Sequence, residues 1–409
     1  MKTILVVAYH YPPENGSCSE KNVRIVKKLI ESGYEVRVLT ANYYPSVLSK
    51  DGAIIFHTNS GKFHRNISHC TDEHEDIPRN RNNGIRGRIK EFLSRVAIPD
   101  ATIDWNLEAK KYVALHPEIL NGVDLIYSIS SPYSAHLLSS YFSRKTGIPY
   151  IMCYGDPWIY EPKRKRGPLR YAIEKKIEGD LVRNASGISL ITEWNRREYK
   201  KLYSIPDEKI NTYLIGYEKT DVHIASRQEN EDVFKMLYGG SLDPIHRNVE
   251  PFLRAMKNVN GVRVEIRNND YPRLGDMVKE LKLDDKVDVK PLVSSSEFEA
   301  LQYRFDALIL FGNKTPYQIP GKVFTYISTG KTVVYIKNND FEDDGTEEVL
   351  KKYGNVIIVK NEKDEIAKSI NDFVSQNQFE NEYKSEQFIY QRTMEPLVEM
   401  VKKVLSPCD

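Results

Sequence analysis

Continuous apolar runs alternate with amphipathic stretches along most of this chain. The first run, "TILVVAY", has the pattern of a parallel strand covered on both faces. The loop "HYPPENGSCSE" follows, and then Val23, Val26, Leu29 and Ile30 recur on one side of a helix. Gly33 stops that helix where a left-handed residue is commonly found, and "EVRVLT" is the next strand. Together these pieces make a βαβ unit. The opening apolar run is too short for a targeting segment and reads as the first core strand.

From about Tyr43 to Leu120 the alternation lapses into a polar region. It resumes with the strand "VDLIYSI", a helix over "YSAHLLSSYFSRKTG", the strand "PYIMCYG", a long helix from Pro168 to Asn184, "GISLIT", a short helix from Glu193 and "INTYLI". Residues 1–216 therefore read as one doubly wound α/β domain. The charged, weakly patterned segment "EKTDVHIASRQENEDV" marks a linker over 217–232. Alternation then restarts with "VFKMLYGG" and runs through "VRVEIR", "KVDVKP", "DALILFG" and "TVVYIK", with helices between, and on through "NVIIVK" to the helix "DEIAKSINDFV", giving a second parallel sheet over 233–385. The remaining residues, 386–409, carry the amphipathic stretch "QRTMEPLVEMVKKVL" with no strand after it, a candidate to pack back on the first domain. The expected fold class is α/β: two doubly wound, Rossmann-like domains facing a central cleft.

Composition narrows the functional classes. A chain of 409 residues supports two cores, and 40% hydrophobic with 28% charged residues is the balance of a globular protein. A net charge of +2 gives no reason to expect nucleic acid as a partner. No apolar stretch reaches the length that crosses a bilayer. Cys18, Cys70, Cys153 and Cys408 lack paired spacing, which points to a reducing cytoplasm.

Two segments of the second domain carry candidate chemistry. In "YGGSLDPIHRN" a strand runs into Gly239 and Gly240, leaving backbone bare, and Ser241 and Arg247 follow. In "TPYQIPGKVFTYISTGKTVVYI" Pro320 suits a first helical turn, Gly321 permits close approach to the backbone, and Lys322 adds positive charge beside free N–H groups. A plain αβ turn is the alternative for the second segment. Both lie at C-terminal ends of strands of one sheet, where such folds bind ligands. Arg247, Lys322, two glycine loops and a helix start together suit a diphosphate, the leaving group of a nucleotide sugar.

At this point the chain resembles the retaining glycosyltransferases of the GT-B fold, family 4-like. The resemblance rests on "YHYPPENGSCSEKNVRIVKKLIESGYEVRVLT", "VDLIYSISSPYSAHLL", "YGDPW", "YGGSLDPIHRN" and "IPGKVFTYISTGKTVVYI", in that order. "GDPW" with "IPGKVFTYISTGK" is most similar to bacterial enzymes that build capsule, O-antigen and related surface polysaccharides. The resemblance implies transfer of a hexose-type sugar from a nucleotide-sugar donor to a saccharide hydroxyl, with a polyprenyl-diphosphate-linked acceptor as the expected partner. It implies donor contacts from Gly16, Gly239, Gly240, Ser241, Arg247, Tyr317, Pro320, Gly321, Lys322 and Thr325. Acceptor contacts are implied for Glu20, Ser130, Ser131, Asp156 and Trp158, with Asp156, Arg247 and Lys322 closest to the reaction. Ser17 and Ser241 stand where the family commonly has a second glycine and a second basic residue. Two family glutamates around the "PGK" helix are replaced by Tyr317 and Thr325, which opens the alternative of a non-catalytic sugar-nucleotide-binding partner. A nucleotide-sugar epimerase on the same architecture is the other alternative.

No cofactor or metal is expected. The chain has no Asp-x-Asp sequence to hold an ion against a diphosphate, and cationic side chains can stabilise the departing charge directly. The cluster His64, His69, Cys70 and His74 matches no closed zinc pattern and reads as a polar, histidine-rich loop. Asp156 also suits a turn before Pro157, and His136 reads as a packed helix residue. The basic run "EPKRKRGPLRYAIEKK" is either a solvated face or a contact for anionic lipid. The amphipathic stretch "GIRGRIKEFLSRVAIPD" adds Ile89 and Phe92 beside Arg88, Lys90 and Arg95, so a peripheral location on the cytoplasmic face of the inner membrane is an open expectation.

Overall fold

The computed structural model describes residues 1–14, 16–42, 44–61, 97–161, 166–219, 233–376 and 384–406. The histidine-rich cluster, the amphipathic stretch with Ile89 and Phe92, residues 162–165 of the basic run, and Cys408 lie outside the described residues. The chain divides into two compact units, Met1–Ile215 with Thr393–Asp409, and Gly216–Arg392.

Unit 1 holds an eight-stranded sheet in the order β3-β4-β2-β1-β5-β6-β7-β8. Its elements are β1 (Thr3–Ala8), α1 (Ser17–Glu31), β2 (Glu35–Asn42), β3 (Ser46–Lys50), β4 (Ala53–Asn59), α2 (Trp105–Leu115), β5 (Leu125–Ser130), α3 (Ser134–Thr146), β6 (Tyr150–Tyr154), α4 (Pro168–Asn184), β7 (Gly187–Leu190), α5 (Glu193–Tyr203) and β8 (Ile210–Thr212). All pairings are parallel except β3 against β4. Every residue of β1, β5, β6 and β7 is buried, which explains their unbroken apolar runs. Two helices are followed by left-handed glycines, Gly33, the stop marked in the sequence, with φ +87°, and Gly147 with φ +77°.

The polar region from Tyr43 is more ordered than its pattern indicates. β3 and β4 form a hairpin there, and α2 follows. Asp51 and Gly52 make the turn with φ of +51° and +83°, the paired positive values of a tight hairpin turn. Trp105 anchors α2 in the core, its indole N–H donating to Thr58 Oγ1 at 2.8 Å.

Unit 2 holds a six-stranded, all-parallel sheet in the order β11-β10-β9-β12-β13-β14. Its elements are β9 (Phe234–Gly239), α6 (Glu250–Met256), β10 (Val262–Arg267), α7 (Leu274–Glu280), β11 (Val287–Lys290), α8 (Ser295–Gln302), β12 (Ala307–Phe311), α9 (Lys322–Ser328), β13 (Thr332–Lys337), α10 (Gly345–Tyr353), β14 (Val356–Lys360) and α11 (Lys363–Gln376). Helix α10 has no counterpart in the sequence reading. Asp344 caps it by accepting from Thr346 N at 2.9 Å. The start of the stretch read as a linker belongs to this unit: Tyr217 N–H donates to Phe388 O at 3.0 Å, and Tyr390 N–H donates to Tyr217 O at 2.9 Å. The short α12 (Tyr390–Thr393) ends the unit, and the chain re-enters unit 1 as α13 (Glu395–Leu405).

Candidate functional site

In unit 2, β9 and β12 are neighbours, and the sheet grows in opposite directions from them. That is the topological switch point, where loops leave a crevice at the strand ends. The loop after β9 is fixed from the β10 side, with Gly240 N–H donating to Arg267 O at 3.0 Å and Asn268 Nδ2 donating to Gly240 O at 2.7 Å. Asp243 Oδ1 accepts from the N–H groups of Ile245 and His246 at 2.9 and 2.6 Å and closes the turn.

Arg247 follows that turn. Its Nε donates to Asn313 Oδ1 at 2.9 Å, and Nη1 reaches Ser241 O at 3.4 Å. The Tyr238 hydroxyl donates to the same Ser241 carbonyl at 2.8 Å. Burial pushes that hydroxyl up to about 12, against the opposing pull of the Arg247 guanidinium, so it remains a neutral donor. Among the described residues, no carboxylate lies within ion-pair distance of Arg247. Neutral oxygens orient the side chain and leave its charge unmatched.

Lys322 meets the same corner from β12. Its ammonium sits over the Phe298 ring, 4.4 Å from the centroid. A Cβ at Gly240 would lie 3.0 Å from Lys322 Cε and 3.1 Å from the Tyr238 hydroxyl, and one at Gly239 would collide with the Phe298 ring. The sequence reading left the space beside both glycines to a ligand. The structure fills it with the protein's own Phe298 and Lys322, so the glycines are required for a different occupant. In the second segment Pro320 stands just before α9, its carbonyl accepting from Val323 N–H at 3.0 Å, and Gly321 at the N-cap has φ −56° and ψ −29° with nothing within 4 Å of the place a Cβ would take. Thr325 Oγ1 turns back on Lys322 O at 3.0 Å, and Tyr317 is half-buried in the preceding loop.

Unit 1 has its own switch point between β1 and β5. Gly16 precedes α1 with φ +129°, exposed, and nothing lies within 4 Å of the place a Cβ would take. This is the backbone opening that Gly239 and Gly240 lack. Glu20 is exposed in the first turn of α1. Ser130 ends β5 in full burial, its carbonyl accepting from Lys21 Nζ at 2.7 Å and Gly155 N–H at 3.1 Å. Ser131 and Asp156 are half-buried just beyond β5 and β6. Burial raises the Cys18 thiol, with Lys21 acting in the opposite direction and Asp156 and Glu14 adding to the rise, so these groups share one neighbourhood.

Trp158 requires correction as an acceptor contact. It is 0% exposed in the unit 1 core, its ring stacked on Tyr133 and its indole N–H donating to Glu174 Oε2 at 3.1 Å. Its apolar area and one donor are both satisfied inside the fold. His136 is packed in α3, with Nδ1 2.5 Å from Ser128 Oγ, and burial followed by the Lys21 charge brings it down to about 3. It is a neutral structural residue.

Sequence reasoning missed Asn313, Phe298 and Lys21. Only Lys21 had a local signal: it falls in helical register with Ile25 and Leu29, a lysine on an apolar stripe.

Neither a family model nor a curated protein sequence matches the chain. Solved structures do. A glycosyltransferase from Rickettsia africae ESF-5 aligns with TM-score 0.64 and 13% identity over 100% of this chain and 99% of that one. Anabaena Alr3699/HepE, in complex with UDP and glucose, aligns with TM-score 0.60 and 12% identity, covering 99% and 98%. A putative UDP-N-acetylglucosamine 2-epimerase from Listeria monocytogenes gives 0.53 and 9%, covering 100% and 97%. At these identities the likeness shows the fold, two Rossmann-like units of GT-B type, and the fold is common to transferases and an epimerase.

Proposed function

We propose that the chain is a glycosyltransferase that moves a sugar from a nucleotide-sugar donor to a hydroxyl of a saccharide acceptor. The observation that carries the reading is Arg247, oriented at a switch point by Asn313 and Ser241 oxygens with no carboxylate partner among the described residues. A cation held this way is prepared for an anionic leaving group. Lys322, carried on Phe298 beside Gly240, supplies the second positive charge. Unit 2 is thus the donor unit, with Ser241, Tyr317 and Thr325 nearby. Unit 1 is the acceptor unit, with Gly16, Glu20, Ser130, Ser131 and Asp156 at its strand ends.

The chemistry proposed is front-face displacement with retention at the anomeric carbon. The bond from that carbon to the diphosphate breaks and the bond to the acceptor oxygen forms on the same face. The acceptor proton passes to the departing phosphate oxygen. Arg247 and Lys322 stabilise the charge that develops there, so the step needs no metal, and Asp156 positions the acceptor hydroxyl. The acceptor class is lipid-linked oligosaccharide of surface polysaccharide synthesis, which fits a peripheral position on a membrane; no helix among the described residues is long and apolar enough to cross one.

The test is calorimetric titration of UDP-sugars, followed by transfer to lipid-linked acceptors. Arg247→Ala and Lys322→Met each weaken donor binding by roughly tenfold to a hundredfold, the range of one charge-assisted hydrogen bond. Unchanged affinity in both variants removes the proposed site. Interconversion of the free nucleotide sugar would establish the epimerase reading, which the Listeria likeness keeps in view. Donor binding without transfer would establish a non-catalytic partner, consistent with the missing glutamates.

A further inference from the structure

Asparagine follows each of three neighbouring strands of unit 2: Asn313 after β12, Asn338 and Asn339 directly after β13, and Asn361 directly after β14. At a strand end this residue ordinarily serves its own turn. Asn339 does so with its Oδ1, which accepts from Phe341 N–H at 3.1 Å. The remaining amide groups reach out of their loops and converge on one short stretch of chain, His246 to Asn248.

Asn338 Nδ2 donates to His246 O at 2.9 Å, and Asn361 Nδ2 donates to Asn248 O at 2.8 Å. The backbone is thereby gripped on both sides of Arg247. Asn361 Nδ2 also donates to Asn338 Oδ1 at 3.1 Å, which ties the two grips together. The Arg247 side chain is held through Asn313 Oδ1, and the Asn313 carbonyl in turn accepts from Asn339 Nδ2 at 2.9 Å. One residue is thus fixed from three strand ends. The chemistry of the grip is uniform: an amide both donates and accepts without carrying charge. Asp344, which stands behind Asn339, is occupied elsewhere. Its Oδ2 accepts from the Tyr335 hydroxyl at 2.5 Å and Asn339 Nδ2 at 3.0 Å, and its Oδ1 accepts from Thr346 N–H at 2.9 Å.

We propose that Asn338, Asn339 and Asn361 are positioning residues for Arg247, forming with Asn313 a neutral amide cage that fixes the guanidinium and leaves its charge for a diphosphate. An unanchored arginine loses rotamer freedom when a ligand orders it; in this fold that loss is taken on folding, before the ligand arrives. Carboxylates in the same places would hold the chain but cancel the charge. The inference deepens the donor-site reading and rests on it for the role of Arg247.

Isothermal titration of the full chain with UDP compares wild type, Asn338→Ala, Asn339→Ala, Asn361→Ala and Arg247→Ala. Each asparagine variant weakens binding roughly threefold to tenfold. In an Arg247→Ala background the same changes bring no further loss, which separates positioning from a general effect on the fold. Deuterium exchange over 243–249 is the second measurement. It accelerates in Asn338→Ala and Asn361→Ala as the Arg247 N–H bond to Asp243 O, 3.1 Å long, loosens. The isosteric Asn338→Asp and Asn361→Asp remove the same donors and serve if an alanine variant fails to fold. UDP affinity that falls in Arg247→Ala but in none of the asparagine variants overturns the positioning role, and so does full additivity with Arg247→Ala. Exchange and affinity both unchanged in the asparagine variants overturn the cage outright. Faster exchange with affinity unchanged in every variant, Arg247→Ala included, supports the cage and overturns the donor-site reading instead.

Discussion

Asn313 Oδ1 holds the Arg247 guanidinium at 2.9 Å without cancelling its charge. That division of labour gives a sharp expectation. Asn313→Ala lowers affinity for a nucleotide diphosphate by roughly tenfold, because Arg247 must then be ordered at the moment of binding. Asn313→Asp lowers it further by furnishing an internal counter-ion, and titration calorimetry reads both. Glu178 is a residue of a different kind. Burial raises its carboxyl from 4.5 to about 7, although the Tyr199 and Tyr203 hydroxyls donate to it at 2.7 Å each and oppose the rise. A raised folded value means the folded state holds the proton more tightly, so this stability is complete below pH 4.5 and is lost as pH climbs to about 7. The thermal midpoint of wild type should therefore fall relative to Glu178→Gln across that window and run parallel above it. Two parallel curves throughout would show that Glu178 is ionised inside the fold.

At the end of β9, tertiary packing changes the meaning of a sequence motif. The glycine pair was legible as a strand ending with bare backbone, but the Phe298 ring that lies on Gly239 comes from α8, 59 residues on, and no local pattern announces it. Gly239→Ala is expected to destabilise unit 2 by about 1–3 kcal/mol through overpacking. Phe298→Ala should make the same glycine substitution nearly neutral while weakening donor binding, because Lys322 loses its support. A double-mutant cycle with chemical denaturation measures the coupling, and additivity of the two changes would disprove the contact. Most helices and strands were readable because their apolar residues keep a period of 3.6 or form short buried runs. The β3–β4 hairpin was hidden because four of the five β3 residues are exposed and the strand carries no core pattern. Its one local signature was the Asp51–Gly52 turn.

Unit 1 is not continuous in sequence. Helix α13 returns to it and buries Leu397, Val398, Met400 and Val401, with Pro396 O accepting from Asn211 Nδ2 at 2.6 Å and Lys28 paired to Glu395 at 2.7 Å. A Cβ on Gly187 would lie 2.6 Å from Met400 Sδ, so strand β7 and the helix fit without spare volume. Ending the chain at Arg392 should thus lower the unfolding temperature of unit 1 and leave unit 2 intact. Trp105, Trp158 and Trp194 all belong to unit 1, so tryptophan fluorescence reports its transition separately from the far-ultraviolet signal of the whole chain. A fluorescence midpoint unchanged by the truncation would mean that α13 adds nothing to that core. The alternation of buried runs and amphipathic stretches was enough to determine two doubly wound sheets and to mark Arg247 and Lys322, because periodicity and loop position are local properties of a chain. The occupants of the glycine spaces, the burial of Trp158, the burial of Lys21 against the Ser130 carbonyl and the return of α13 were decided by tertiary structure. Each depends on which distant side chain reaches a given point, and spacing along a sequence carries no record of that.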